Sequence, residues 1–328
     1  MRTPRPVSRG VIAFAAAVIA LAAPAAACAQ EEFPGGKPIE MIVLFPAGTS
    51  ADVTARVLAE GMSRQLNTNI VVVNRPGAGG AIGYKYTAAQ TPDGHHIVWN
   101  SNSISTSYHS GMLAFDYRQF DLVAQVQVET PLLVVKADAP WKGLRDLVAA
   151  AKAEPGKITV GNSGVGSHTH MTSIALFKTA GAAVLDVPFG AAQVIPSLLG
   201  GHVQAVVQLP SALISHVKAG NLRVLAALSA KRDTAFPEVP TAREQGINVG
   251  AELWRGIAVP KGTPRRIIAR LEDAIRKTVA TPEFVKSCER LAVNPAFLPA
   301  PEFAKVVARE DAEIARMMQS LGLKKSAN

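Results

Sequence analysis

The feature that most constrains this chain is a repeated grammar: a short apolar, β-rich run, a loop of small residues, then an amphipathic helical stretch. Residues 39–45 are nearly all apolar, residues 46–50 break the run, and Val53, Val57, Leu58 and Met62 then fall on one helical face of residues 51–66. Ser50 stands where that helix needs an N-cap, and Asp52 falls in its first turn, where a carboxylate suits the helix dipole. The grammar predicts further strands at 70–73, 97–100, 132–136, 158–161, 184–187, 203–207 and 222–228. Helices are expected at 82–90, 144–153, 192–199 and 211–219, and one carrying Met171, Ile174, Ala175 and Phe177. The C-terminal part is more helical. Thr263-Pro264 reads as an N-cap with proline at N1, a second helix covers 282–291, and Pro301 opens a last one with Phe303, Val307, Ile314 and Leu321 on its stripe. Strands alternating with helices predict an α/β fold.

The first residues do not obey this grammar. Arg2, Arg5 and Arg9 precede an apolar run over 11–23, and small residues end in Ala27-Cys28-Ala29. This is the pattern of a secretory leader, 1–29, cleaved after Ala29; the run is shorter than the roughly 20 residues of a membrane span. Lipidation of Cys28 is the competing reading, disfavoured by Ala25 three positions before it. Export implies a periplasmic protein with one remaining cysteine, Cys288, so stabilisation rests on a core and not on an internal disulfide. The 34 basic residues, less three leader arginines, leave 31 against 25 acidic, a mature charge of +6 with histidine neutral. The basic residues are dispersed and no basic–aromatic stripe is present, so nucleic acid is not an expected partner. About 300 mature residues imply two domains.

In open α/β sheets ligands sit outside the carboxyl ends of the strands. Three loops fall there: residues 45–52, 100–103 and 161–169. Each offers small residues, hydroxyls or amides and backbone N–H groups, and two run into helix N-termini. Such loops bind anions without a buried Arg or Lys. The loop at 161–167 is not a P-loop, because no Lys-Ser/Thr follows its last glycine, and Gly161-Asn162-Ser163-Gly164-Val165 lacks the final glycine of a nucleophile elbow. His168 and His170, two apart at a helix start, do not share a helical face. No zinc, redox or paired-carboxylate motif accompanies them, so neither a catalytic centre, a metal nor a cofactor is expected.

As an ordered set, these segments resemble the Bug-type, or tripartite tricarboxylate transporter, substrate-binding receptors. The resemblance rests on Lys37-Pro38-Ile39 with Val43-Leu44-Phe45-Pro46-Ala47-Gly48, on Asn74-Arg75-Pro76-Gly77-Ala78-Gly79-Gly80 and on Pro92-Asp93-Gly94. Residues 161–167 with His170, Pro210-Ser211-Ala212, Pro237-Glu238-Val239-Pro240-Thr241 and Pro260-Lys261-Gly262-Thr263-Pro264 continue it over nearly the whole mature chain. It implies a type II periplasmic-binding-protein fold: two α/β lobes joined by two crossing hinge strands, placed near 129–135 and 252–260. One lobe would comprise residues 30–130 with 253–328, the other 131–252. It further implies a non-enzymatic receptor, monomeric, that delivers a small carboxylate to integral-membrane transporter subunits. The carried-over binding residues are Phe45, Ala47, Thr49, Ala51 and Asp52 from the first lobe. The second lobe adds Ser163, Gly166, Ser167, His168 and Thr169, with Phe189, Gly190 and Ala191. Asn100 and Gln208 join the expected site from their loop positions.

The chain departs from the family pattern with Ala47-Gly48-Thr49 in the first loop, Gln208-Leu209 before Pro-Ser-Ala, and His168 in place of a small hydroxyl residue. An inward-facing His168 would be suited to a second carboxylate. A receptor that signals to a sensor kinase, a receptor for an inorganic oxyanion and an exported enzyme acting on a small anion are the competing readings.

Overall fold

The computed structural model describes residues 33–320, with Met1 and Thr3. The expected leader, Cys28 and Leu321 lie outside the described residues.

In chain order the regular elements begin with β1 (Ile39–Val43), α1 (Ser50–Leu66), β2 (Ile70–Asn74), α2 (Ala81–Ala88), β3 (His96–Ser101), α3 (Ser103–His109) and β4 (Phe120–Glu129). Next come β5 (Leu132–Lys136), α4 (Leu144–Ala153), β6 (Thr159–Asn162), α5 (His168–Thr179), β7 (Leu185–Pro188), α6 (Val194–Leu199), β8 (Ala205–Gln208), α7 (Pro210–Lys218) and β9 (Leu222–Ala227). The chain finishes with β10 (Leu253–Pro260), α8 (Arg265–Val279), α9 (Pro282–Leu291), β11 (Asn294–Pro299) and α10 (Ala300–Ser320).

Two mixed sheets result, ordered β11-β4-β10-β3-β1-β2 and β7-β6-β8-β5-β9. In the first, β1 runs parallel to β2 and β3, while β10 is antiparallel to β3 and β4. In the second, β6 is parallel to β7 and β8, and β5 is antiparallel to β8 and β9. Each sheet is covered on both faces, and apolar burial is the main source of stability. Trp99, Leu58, Met62, Ile257 and Leu271 occupy one side of the first sheet, and Tyr84, Trp254 and Phe303 the other. Leu147, Phe177 and Leu225 cover one face of the second sheet, with Val194, Leu198 and Leu213 on its other face. Cys288 is buried in the first core, where burial and the charges of Glu129 and Glu289 push its thiol up to about 12; it is packing, not a reactive group.

The chain passes between the sheets twice, at Thr130-Pro131 and again just before β10. The two passages are stitched together: Leu228 N donates to Pro131 O at 2.8 Å, and Ala251 N donates to Leu228 O at 2.7 Å. Helix α10 returns from the first sheet to the second lobe, where its Ile314 and Met318 pack on Met171 of α5. Its approach to the first sheet needs Gly256, since a Cβ there would lie 2.4 Å from Ala124 O and 2.7 Å from the Phe303 ring.

Three elements were not legible in the hydropathy pattern. Strand β4 alternates apolar residues with Gln125, Gln127 and Glu129, all buried, with the Nε2 groups of Gln125 and Gln127 donating to Ala296 O and Glu129 Oε1. Strand β11 contains Pro295 and Pro299 and survives because it is an edge strand. Helix α3 is a run of hydroxyl residues buried beneath the interlobe cleft, with no apolar period to betray it.

The terminus signals also moved. Thr49, not Ser50, is the N-cap of α1, and its side chain leaves the first-turn N–H groups uncapped. Pro264 is the N-cap residue of α8, while Thr263 Oγ1 donates to Pro260 O at 2.8 Å to close the preceding turn.

Candidate functional site

Between the two lobes lies a cavity of about 430 Å³. The first lobe contributes the β1–α1 loop (Phe45, Ala47, Gly48, Thr49, Ser50, Ala51), Ser101 and Ser103 after β3, and Leu253 and Arg255 of β10. The second lobe contributes Ser163, Ser167, His168 and Thr169 around the start of α5, Ala191, Ala192, Ile195, Pro196 and Leu199 around α6, and Gln208, Leu209, Ala212 and His216 around α7.

The first loop is held by Asp52, which does not line the cavity. Its Oδ2 accepts from Gly48 N at 2.9 Å; its Oδ1 accepts from Asn74 Nδ2 at 3.0 Å and from Arg56 at 2.8 Å. Burial pushes the Asp52 carboxyl up, but the bonds from Arg56, Gly48 and Asn74 outweigh it and hold the pKa below the usual carboxylate range. The side chain therefore shapes the loop from behind the cavity wall, away from the position expected of a ligand contact. Thr49 Oγ1 donates to Pro46 O at 2.7 Å, so the loop is closed on both sides. The N-terminus of α1, with no side-chain cap, presents its first N–H groups at the cavity wall formed by Ser50 and Ala51.

The second loop behaves differently. Sequence alone suggested free backbone donors, yet most are consumed within the loop. Ser163 N donates to Thr169 Oγ1 at 3.0 Å, Gly164 N to Asn162 Oδ1 at 3.3 Å, Gly166 N to His170 Nδ1 at 3.1 Å and Ser167 N to Gly164 O at 3.1 Å. Ser167 Oγ caps α5 by accepting from His170 N at 3.2 Å. The loop thus offers side chains more than backbone. Gly166, Phe189 and Gly190 do not line the cavity, although Ala191 does; Phe189 N and Gly190 O are used by Asn162 O and Gln193 N.

Asn100 is likewise behind the wall. Its Oδ1 accepts from Tyr84 OH at 2.7 Å and from Ser101 N at 2.9 Å, a bracing role that turns Ser101 and Ser103 to the cavity in its place. Gln208 does line the cavity, with Nε2 donating to Ser163 Oγ at 3.1 Å and Oε1 accepting from Leu209 N at 2.9 Å.

The cation of the site is Arg255, which the sequence reading missed. It is 3% exposed, and its Nε donates to Glu129 Oε1 at 2.8 Å. Glu129, fully buried, also accepts from Ser50 Oγ at 2.5 Å, Gln127 Nε2 at 3.3 Å and Ser211 Oγ at 3.4 Å. One carboxylate thus ties the first loop, the β4 and β10 strands and helix α7 of the other lobe. Among the described residues neither Nη of Arg255 has a protein partner, so the fork is available to an anion in the cavity. The signal for it was a lone arginine in the otherwise apolar strand Leu253–Pro260, since a charge there is buried only when paired.

His168 lines the cavity, but burial and the positive charge of Arg255 push its pKa down to about 4, against a smaller opposing effect of the Glu252 carbonyl. The ring is neutral at pH 7 and does not supply a second positive charge. Among the described residues no group of acidic, histidine or cysteine side chains could hold a metal ion, and no helix is long and apolar enough to cross a membrane.

Of the expected binding residues the structure therefore brings Phe45, Ala47, Thr49, Ala51, Ser163, Ser167, His168, Thr169, Ala191 and Gln208 to one cavity, and leaves Asp52, Asn100, Gly166, Phe189 and Gly190 as its supports.

Two α/β lobes, two passages between them and a ligand-sized interlobe cavity define a solute-binding receptor of the periplasmic-binding-protein class. The model of the tripartite tricarboxylate transporter family receptor, TctC, matches residues 54–323, and the chain belongs to that family. Its members are receptors and not enzymes. BugT of Bordetella pertussis is 33% identical over 93% of this chain and 95% of its own length. Among solved structures, a TctC solute-binding protein from Polaromonas is 33% identical, covers 86% of this chain and 98% of its own, and superposes with a TM-score of 0.70. R. palustris Rpa4515, solved with adipate, is 25% identical, with 87% and 97% covered and a TM-score of 0.80.

Proposed function

We propose that this protein is an exported, periplasmic receptor that captures a small organic carboxylate between its lobes and delivers it to the integral-membrane subunits of a tripartite tricarboxylate-type transporter. The observation that carries the reading is the Arg255 guanidinium, its Nη groups unclaimed by any described residue, in a cavity also lined by Ser50 and Ala51 at the uncapped end of α1. A buried fork beside free N–H groups suits a planar carboxylate. The adipate held by the R. palustris relative supports the same ligand class. Residues 33–130 with 253–320 form one moving body and 131–252 the other, and they close about the stitched passages at Pro131, Leu228 and Ala251. The receptor acts as a monomer.

A thermal-shift screen of the mature chain against organic acids and inorganic oxyanions tests this. A ligand at about 1,000 times its dissociation constant adds roughly 4 kcal/mol, which raises the melting temperature by several degrees. A response confined to phosphate or sulfate sinks the carboxylate reading.

A further inference from the structure

The cavity wall is divided by chemistry. Its cationic and hydroxyl part is Arg255 with Ser101 and Ser103 and the first turn of α1. Facing it are an apolar surface, Ile195, Pro196 and Leu199 from α6 with Leu209 and Ala212 from α7, and an uncharged polar strip of Ser163, Ser167, His168, Thr169 and Gln208. Among the described residues Arg255 is the one Arg or Lys on the wall, and no Asp or Glu lines it. The carboxylate behind Arg255 and Ser50, that of Glu129, is fully buried and accepts from four donors of the protein.

From this division we infer that the site selects a monocarboxylate bearing an apolar body, alkyl or aryl, over dicarboxylates and α-amino acids. The inference deepens the carboxylate-receptor reading and rests on it. The first carboxylate is matched by the Arg255 fork. A second would meet the apolar Ile195 and Leu199 or the uncharged Ser163, Ser167, Thr169 and Gln208, with no second Arg or Lys among the lining residues to pair its charge, and a charge held without a partner cation is disfavoured. An ammonium group meets the same obstacle, since the wall offers it no carboxylate. Space is not limiting. An apolar cavity of about 150 Å³ accepts benzene, so 430 Å³ holds a ring-sized body, a carboxylate and bridging water. His216, with the donors Ser163, Ser167, Thr169 and Gln208, would have to hold a second carboxylate if this is wrong.

Isothermal titration of the mature chain with hexanoate, adipate, 2-aminohexanoate, benzoate and terephthalate separates the alternatives. The monoacids are expected to bind at least about 50-fold more tightly than the matched diacid or amino acid, in keeping with more than two kcal/mol of uncompensated desolvation. Leu199→Arg, which places a cation on the half-exposed edge of the apolar wall, is expected to raise affinity for the diacids relative to the monoacids. Adipate or terephthalate binding as tightly as its monoacid overturns the inference and leaves the carboxylate receptor standing; loss of that binding in His216→Ala would name the reason. Failure of every carboxylate to bind the folded protein overturns the inference and the proposed function together.

Discussion

Replacing Arg255 by methionine removes the one cation that faces Glu129 while keeping a side chain of similar reach. Glu129 is fully buried, so the lost partner leaves a carboxylate that water cannot reach. Breaking a buried ion pair from one side typically costs about 3–5 kcal/mol. Here the lower part of that range applies, because Ser50, Gln127 and Ser211 still donate to the same carboxylate. The expected loss is therefore about 3 kcal/mol, or roughly 6–12 °C of melting temperature for domains of this size. Glu129→Gln in the same background replaces the stranded charge with a neutral amide, and the double variant is expected to recover at least about half of the loss. Urea unfolding followed by tryptophan fluorescence reads both, since Trp99 and Trp254 are buried in the first lobe and Trp254 adjoins the substitution. A loss below about 1 kcal/mol in Arg255→Met, or a double variant no more stable than the single, would refute the claim that Arg255 is needed to balance a Glu129 charge buried away from water.

The half-buried Glu310 gives a second, pH-dependent test. Burial raises its pKa to about 7, against the opposing bond from Trp254 Nε1 at 2.6 Å; Asn102 Nδ2 also donates to it. The folded state therefore holds the proton more tightly than the unfolded chain, so this group's contribution is greatest below the ordinary glutamate range and declines as pH rises through 7. Glu310→Gln is expected to flatten the fall in urea midpoint between pH 5 and 8.5, by no more than about 3 kcal/mol; an unchanged slope argues against it. Asp52→Asn turns a donor toward at least one of Gly48 N, Asn74 Nδ2 and Arg56, and is expected to cost about 1–2 kcal/mol and to weaken ligand binding several-fold by loosening the first loop. Titration of the variant with unaltered affinity would show that the loop keeps its shape without the carboxylate.

How much of this was legible in the sequence depended on the range of the physics involved. The helix of residues 51–66 was read correctly from Val53, Val57, Leu58 and Met62, and appears as Ser50–Leu66. The loops after β1 and β6 were located because glycine and small polar residues between a strand and a helix are a local signal. Their roles were less accessible. The 161–167 loop has the composition of an anion cradle, yet Thr169, Asn162 and His170 consume its donors, and only coordinates reveal that. Asn100 and Asp52 occupy the expected positions but face inward as braces, a matter of rotamer and neighbour that residue type does not encode.

Local patterning by itself determined the α/β class, the order of most strands and helices and the family, because periodicity, turn chemistry and ordered motifs are written along the chain. The tertiary structure decided the rest. It places β10 between β3 and β4, brings Arg255 beside Glu129 from 126 residues away, and sets α6 and α7 of one lobe across from the first loop of the other. Those neighbours determine which donors remain free, which charges are paired and which wall is apolar, and burial and pairing are properties of the packed chain, invisible to a local reading of its residues.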